Sequence, residues 1–168
     1  EKIAGALSTF TGAHRRFQFK AEVDGVLVID DYGHHPTEIR ATLAAAKIGS
    51  GGRRTLVLFQ PHRFTRTHDL MGEFARSFNN ADTLLISEIY AASEEPIEGV
   101  TGEALTDAIQ RYGHKDVHYI GGLEAAAQTV REHLQPGDMV ITLGAGTVNR
   151  VGDQIVELLR GRAEAQSN

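Results

Sequence analysis

The sequence of 168 residues has no cysteine and no tryptophan, and it carries only four prolines and two methionines. Without cysteine there is no disulfide stapling, no thiolate nucleophile and no thiolate metal site. No apolar run approaches the ~20 residues that a membrane-spanning helix needs. The amino terminus also lacks the basic stretch followed by an apolar segment that marks a secretory leader. No membrane partner and a cytoplasmic location are therefore expected. Charge of one sign is missing too. Lys and Arg number 17 against 22 Asp and Glu, a net charge of -5, and the two signs are mixed along the chain. That balance disfavours a nucleic-acid partner but leaves room for a small anion pocket. The length suits one compact domain.

What is present is an alternation of two periods. Ile3, Leu7 and Phe10 recur at helical spacing and stop at Thr11-Gly12, so residues 1–12 read as the tail of an interdomain helix and its linker. Phe17 to Lys20, the Asp24-Gly25 pair and Val26 to Ile29 form a hairpin pattern. Further strands are expected at Leu56 to Phe59, Thr83 to Ile86, Val117 to Ile120 and Met139 to Leu143. Helical spacing separates them: Ile39, Leu43, Ala46; then Leu70, Phe74, Phe78; then Leu105, Ile109; then Leu123, Ala127, Val130, Leu134; and last Val151, Ile155, Leu158, Leu159. Repeated strand-helix units imply parallel strands with right-handed crossovers. The fold class is α/β, an open, doubly wound, mostly parallel Rossmann-like sheet with an initial antiparallel hairpin. It is expected over residues 13–161, followed by a small-residue, polar, flexible tail over 162–168.

Three segments stand where such sheets bind ligands, just after strands. Asp30-Asp31-Tyr32-Gly33-His34-His35-Pro36-Thr37-Glu38 has a proline suited to a first helical turn and a carboxylate near the helix's positive end. Asp30, His35 and Glu38 can cap that helix while His34 completes a loop network. The same set can instead serve a nucleotide, with an acid accepting from ribose, an imidazole donating to phosphate and Tyr32 offering an aromatic face. Direct metal ligation is a third reading, although the spacing matches no zinc signature. In Gln60-Pro61-His62-Arg63-Phe64-Thr65-Arg66-Thr67, two arginines can share one side of a turn and grip a carboxylate or phosphate. Otherwise they pair with Asp69 and Glu73 as ordinary surface charge. Gly144-Ala145-Gly146-Thr147 permits close backbone approach before a helix, or is simply a tight turn. Arg15 and Arg16 lie between the linker and the hairpin, where either can neutralise phosphate across a cleft. His14, His68, His114, His118 and His133 are scattered and read as structural or solvated. There is no P-loop and no complete Gly-x-Gly-x-x-Gly, which weakens a free-standing NAD-binding reading.

In this order and spacing, Phe10-Thr11-Gly12 with Arg15-Arg16-Phe17, the Asp30 to Ile39 segment and the Gln60 to Thr67 segment closely resemble the carboxyl-terminal domain of the Mur ligase family. Ile89-Tyr90-Ala91-Ala92, Glu95-Pro96-Ile97, Gly99-Val100-Thr101 and Gly144-Ala145-Gly146 extend the resemblance over essentially the whole chain. Within that family, the Gln60 to Thr67 segment is similar to members that join L-alanine to UDP-N-acetylmuramate. Murein-peptide recycling ligases share the Asp-Asp-aromatic-small-His-His-Pro pattern but depart there.

The resemblance implies peptidoglycan precursor synthesis with ATP and Mg2+. The sugar-linked carboxylate takes the γ-phosphoryl group, and the amine of L-alanine attacks the acyl phosphate. Its partners are the upstream UDP-sugar and ATPase domains of the same polypeptide, and the central one holds most of the magnesium, so the fragment alone is expected to be inactive. By resemblance Asp31 and His34 contact the nucleotide, with Tyr32 and His35 shaping the pocket. Arg16 approaches the ATP phosphates and compensates their charge. His62, Arg63 and Arg66 hold L-alanine, and no metal ligand falls on this chain. Thr147 stands where relatives often have Asp, so no acidic role carries over to it. A recycling-ligase fragment, or a nonenzymatic nucleotide- or carboxylate-binding module, is the alternative.

Overall fold

A computed structural model describes residues 15–166. The expected interdomain helix and linker, with Ile3, Leu7 and Phe10, lie outside the described residues, as does His14. The chain first forms β1 (Gln18–Val23) and β2 (Val26–Asp31), an antiparallel hairpin. Asp24 and Gly25 make its two-residue turn, both with positive φ (50° and 76°), which matches the twist of the flanking strands. Then follow α1 (Pro36–Gly49), β3 (Thr55–Phe59), α2 (Phe64–Asp69), α3 (Met71–Phe74) and β4 (Thr83–Ile86). The second half is α4 (Gly102–Tyr112), β5 (Val117–Tyr119), α5 (Ala126–His133), β6 (Met139–Leu143) and α6 (Val148–Gln166).

The six strands lie in the order β1-β2-β6-β3-β4-β5. All pairings after the hairpin are parallel. The pleat sorts side chains between two cores. Leu27, Ile29, Val57, Phe59, Ile141 and Leu143 point to one face, where α1, α3 and α4 pack with Ile39, Leu43, Phe74, Leu105 and Ile109. Val28, Leu56, Leu58, Leu85 and Val140 point to the other, against α5 and α6 through Ala127, Val130, Val151 and Ile155. Each such aliphatic side chain contributes about 1.5–3 kcal/mol on leaving water. The continuous apolar runs of the sequence therefore belong to strands covered on both sides, as expected for a doubly wound sheet.

Three elements differ from the periodic reading. The stripe Leu70, Phe74, Phe78 is not one helix. The chain leaves helical geometry at Leu70 (φ -111°, ψ 16°) and splits into α2 and α3. Phe74 and Phe78 are buried even so, with ring centres 5.8 Å and 5.1 Å from Phe59, and that packing sets the local path in place of helical continuity. The helix expected from Leu123 begins at Ala126, and Leu123 packs as a loop residue against the second core. Leu158 falls off the buried stripe of α6 and is 37% exposed, whereas Leu159 is 4% exposed. The backbone of α6 stays helical to Gln166, beyond position 162 where a tail is expected. Among the described residues no helix is long and apolar enough to cross a membrane.

β6 is central, so its truncation tests this topology. Ile141→Ala, at a site with 0% exposure, is expected to lower unfolding stability by about 2–5 kcal/mol in a denaturant titration. A loss below about 1 kcal/mol would be inconsistent with a closed core around β6.

Candidate functional site

The carboxyl ends of β2, β6 and β3 are aligned by register. Asp31 pairs with Leu143, and Leu143 with Phe59. The alignment continues past the strands: Gly144 N donates to Asp31 O (3.0 Å) and Gln60 N to Leu143 O (3.0 Å). The helices after β2 and β3 pack on one face of the sheet and the helix after β6 on the other, so their loops part there and open a crevice.

Asp30 and Asp31 end β2 and are almost fully buried, at 1% and 4% exposure. Asp30 does not cap α1. It pairs with Arg15 (2.8 Å) and accepts from the Thr142 hydroxyl (2.7 Å), because its side chain points to the α6 face. Arg15 also donates to Gly144 O (2.8 Å), and its guanidinium lies 5.0 Å from the Tyr32 ring centre. Asp31 accepts from Phe17 N (2.7 Å) and Gly33 N (2.7 Å), and from the Thr42 hydroxyl (3.1 Å). Both of its oxygens are thus occupied inside the protein. These contacts hold the loop from beneath.

His35 and Glu38 form a capping box on α1, with Pro36 in its first turn. Thr37 N donates to His35 Nδ1 (3.3 Å), while Glu38 Oε2 accepts from His34 N (3.0 Å) and His35 N (3.2 Å). Burial pushes the Glu38 carboxyl up. The two backbone N–H groups and the charges of His34 and Arg16 outweigh burial and hold it below its ordinary value. Arg16 is 52% exposed and lies 3.5 Å from Glu38. His35 is thereby assigned to the helix cap, and Tyr32 and His34 remain as the groups this loop presents.

His34 Nδ1 donates to Tyr32 O (3.0 Å). In the neutral ring its Nε2 is therefore an acceptor. The other loop has the reverse assignment. Arg66 Nη1 contacts His62 Nδ1 (3.2 Å) and His62 O (3.1 Å). A guanidinium only donates, so His62 Nδ1 accepts and its proton sits on Nε2. The two rings stand 5.9 Å apart, one offering an acceptor and the other a donor. Burial, then the positive charges of Arg66, His34 and Arg63, lower the His62 pKa, with Glu94 acting in the opposite sense. His62 is accordingly neutral at pH 7.

Arg63 has positive φ (76°, with ψ 136°) just before α2, a conformation costing about 1–3 kcal/mol in a non-glycine residue. Its surroundings hold it there. Arg63 N donates to Tyr90 O (2.8 Å), and the Thr67 hydroxyl donates to Arg63 O (2.9 Å). The guanidinium is half exposed and 3.5 Å from Glu94. The arginines do not pair with Asp69 and Glu73, as a plain surface loop would have them do.

Two residues here fall in segments that carry the resemblance but have no assigned role in the sequence. Tyr90 continues the β3–β4 pairing as an isolated parallel bridge to His62, and its ring stacks on the imidazole at 5.4 Å. Gln60 is buried and accepts from Val148 N (3.1 Å) at the start of α6. The Gly144 to Gly146 turn is shaped around these two. A Cβ on Gly144 would stand 2.8 Å from Gln60 O, and one on Gly146 would strike Gln60 Oε1 and lie 2.9 Å from the Tyr90 ring. The glycines thus serve close packing. Among the described residues no three His, Asp or Glu side chains gather as a metal site.

Because His62 resists protonation only when folded, the unfolded chain takes up its proton first as pH falls. The stability this resistance contributes is fully present above the ordinary imidazole value of ~6.5 and is lost as pH falls through the lower value of the folded chain. An imidazole NMR titration is expected to place His62 below ~6.5, and Arg66→Gln should move its midpoint upward. An unmoved midpoint in that variant rules out the Arg66–His62 coupling.

The sequence matches the family model described as "Mur ligase, glutamate ligase domain" over residues 15–146. A UDP-N-acetylmuramate--L-alanine ligase of Solibacter usitatus is 52% identical over 160 residues, which is 95% of this chain and 34% of that protein. Among solved structures, a Thermotoga maritima UDP-N-acetylmuramate-alanine ligase superposes with a TM-score of 0.75 at 28% identity, covering 94% of this chain and 33% of the other. A murein peptide ligase of Psychrobacter arcticus gives a TM-score of 0.72 at 24% identity, covering 92% and 32%, and at that identity shows the fold alone. The chain therefore spans about one third (34%) of the length of such a relative. The match runs through the two histidine loops and ends at the Gly144 to Gly146 turn, and the chain belongs to the Mur ligase family, glutamate ligase domain.

Proposed function

We propose that this chain is the carboxyl-terminal, amino-acid-positioning domain of a cytoplasmic, ATP-dependent ligase that joins L-alanine to UDP-N-acetylmuramate. The observation that carries this reading is the β3 exit loop. There Arg66 is locked onto His62, and Arg63 is held in an unfavourable backbone conformation with its guanidinium half exposed. Two guanidiniums beside a neutral imidazole donor suit an anion such as a free carboxylate, which paired N–H groups match. The names of the relatives support L-alanine as its owner.

In this mechanism the sugar-linked carboxylate is activated as an acyl phosphate. The L-alanine amine attacks the carbonyl carbon, a tetrahedral intermediate forms, and phosphate leaves. The role of His62, Arg63 and Arg66 is orientation. With the carboxylate of L-alanine gripped, the amine is aimed at the electrophile, and the association entropy is already spent in binding. Tyr32 and His34 face the nucleotide side, while Asp31 and His35 set the shape of the loop behind them. Arg16, exposed beside Glu38, is the group placed to reach phosphate oxygens and offset their charge. Metal binding is assigned to the upstream domains. Those domains also hold the UDP-sugar and the remaining phosphate contacts. Closure onto them completes the site and shields the acyl phosphate from water.

In the intact ligase, Arg66→Ala is expected to raise the KM for L-alanine about 10- to 100-fold, the loss of a charged hydrogen bond, with little change in the KM for the UDP-sugar. Equal changes in both would argue against the assigned role. The isolated chain should show no L-alanine-dependent ATP hydrolysis, and turnover by the fragment alone would overturn the division between domains.

A further inference from the structure

The loop between β4 and α4 supplies an acid that no part of the mechanism above uses. Glu94 lies four residues after Tyr90, whose ring stacks on His62. Its carboxylate reaches back across the crevice to the amino end of α2. Oε2 accepts from Thr65 N (3.0 Å), Oε1 accepts from the Thr65 hydroxyl (2.7 Å), and Oε1 lies 3.5 Å from Arg63 Nη1. α2 has no cap from its own N-cap residue, Arg63. Glu94 supplies that cap from 29 positions beyond Thr65. The loop that delivers it is shaped for the task. Ala92 and Ser93 both have positive φ (50° and 69°), and Ile89, Ala91, Ile97 and Val100 pack it onto Phe64 in a small separate core. The Thr65 N–H and hydroxyl hold the Glu94 carboxyl below its ordinary value, against a small opposing effect of burial, and Arg63 adds to the lowering.

The charge balance follows from these contacts. Arg63 and Arg66 bring two positive charges to the loop, His62 is neutral, and Glu94 brings one negative charge. A single unit of positive charge remains, which matches one substrate carboxylate. Thr65 N, the donor that an incoming anion would find at the start of α2, is already taken by Glu94.

We propose that Glu94 is the positioning and specificity residue of the amino-acid site. It fixes Arg63 and the start of α2, and its fixed negative charge admits amino acids with one carboxylate and turns away those with a second. The inference rests on the amino-acid reading of the His62, Arg63 and Arg66 loop. A second carboxylate near Glu94 meets like-charge repulsion and finds no spare guanidinium, so discrimination arises from an unfavourable contact as much as from a favourable one.

The test uses the intact ligase and two variants, with thermal melting as the folding control. Glu94→Gln keeps an acceptor for Thr65 but removes the charge. It is expected to raise kcat/KM for L-aspartate relative to L-alanine about tenfold, the size of one screened charge contact. Glu94→Ala loses the cap as well, and should raise the KM for L-alanine about tenfold with the KM for ATP and UDP-sugar unchanged. An unchanged aspartate-to-alanine ratio in Glu94→Gln overturns the proposal, as does an alanine KM in Glu94→Ala equal to that of the wild type. If the wild type uses another monocarboxylic amino acid in place of L-alanine, the substrate assignment fails. The same ratio, measured with that amino acid, then still decides the role of Glu94.

Discussion

The site depends on how closely the turn after β6 lets its neighbours approach. β6 lies between β2 and β3, so its exit turn has both other exit loops against it. With hydrogen at the Cα of 144 and 146, Gln60 can lie over the turn and Tyr90 beside it. Gln60 then ties β3's exit to the start of α6, and Tyr90 carries β4's exit to His62. A side chain at 146 would push both away. His62 would lose its stacking partner, and Arg63 would lose the Tyr90 carbonyl that receives its N–H. Two absent methyl groups thus set the position of an imidazole and a guanidinium on another strand.

A second constraint is the separation of charge by depth. The chain has a net charge of -5, yet the loops present donors, because the two strand-end acids, Asp30 and Asp31, turn inward. Asp30 is matched by Arg15 and Thr142, and Asp31 by two backbone N–H groups and Thr42. Buried and fully hydrogen-bonded, they hold the loops without contributing acceptors to the surface. The bases stay outward, where Arg16 and Arg63 are each about half exposed. Ionised acids below and guanidiniums above give a surface suited to anions on a protein whose overall sign is opposite, since short distances outweigh the screened total.

The sheet was legible in the sequence because strands buried on both faces read as unbroken apolar runs, and Val26 to Ile29 and Met139 to Leu143 are such runs. The order of the strands was not. That β6 returns to lie between β2 and β3 is a tertiary fact with no local signature. Loop residues were legible by chemical type, and Tyr32, His34, His62, Arg63 and Arg66 do stand about one crevice. Their division of labour was not. Asp31 and His35 look as available as His34 in the sequence, and only hydrogen bonds reveal that both Asp31 oxygens and His35 Nδ1 have partners within the protein. Gln60 and Tyr90 escaped notice because a glutamine and a tyrosine at strand ends are ordinary until glycines elsewhere are seen to make room for them. The split of α2 and α3 was hidden for a related reason, since Phe74 and Phe78 satisfy helical spacing while serving Phe59.

The opposed tautomers of His34 and His62 show why the two loops must be set by the fold before any ligand arrives. Each ring's proton position is dictated by a contact within its own loop, the Tyr32 carbonyl in one case and the Arg66 guanidinium in the other. Neither assignment depends on the facing ring, so the pair presents one acceptor and one donor without having to sort protons between them. A site that fixes both partners in advance spends little of its binding energy on reorganisation. The capping box, the Arg66 contact and the strained Arg63 backbone are all stabilised by folding alone, and a ligand's own interactions remain available for binding.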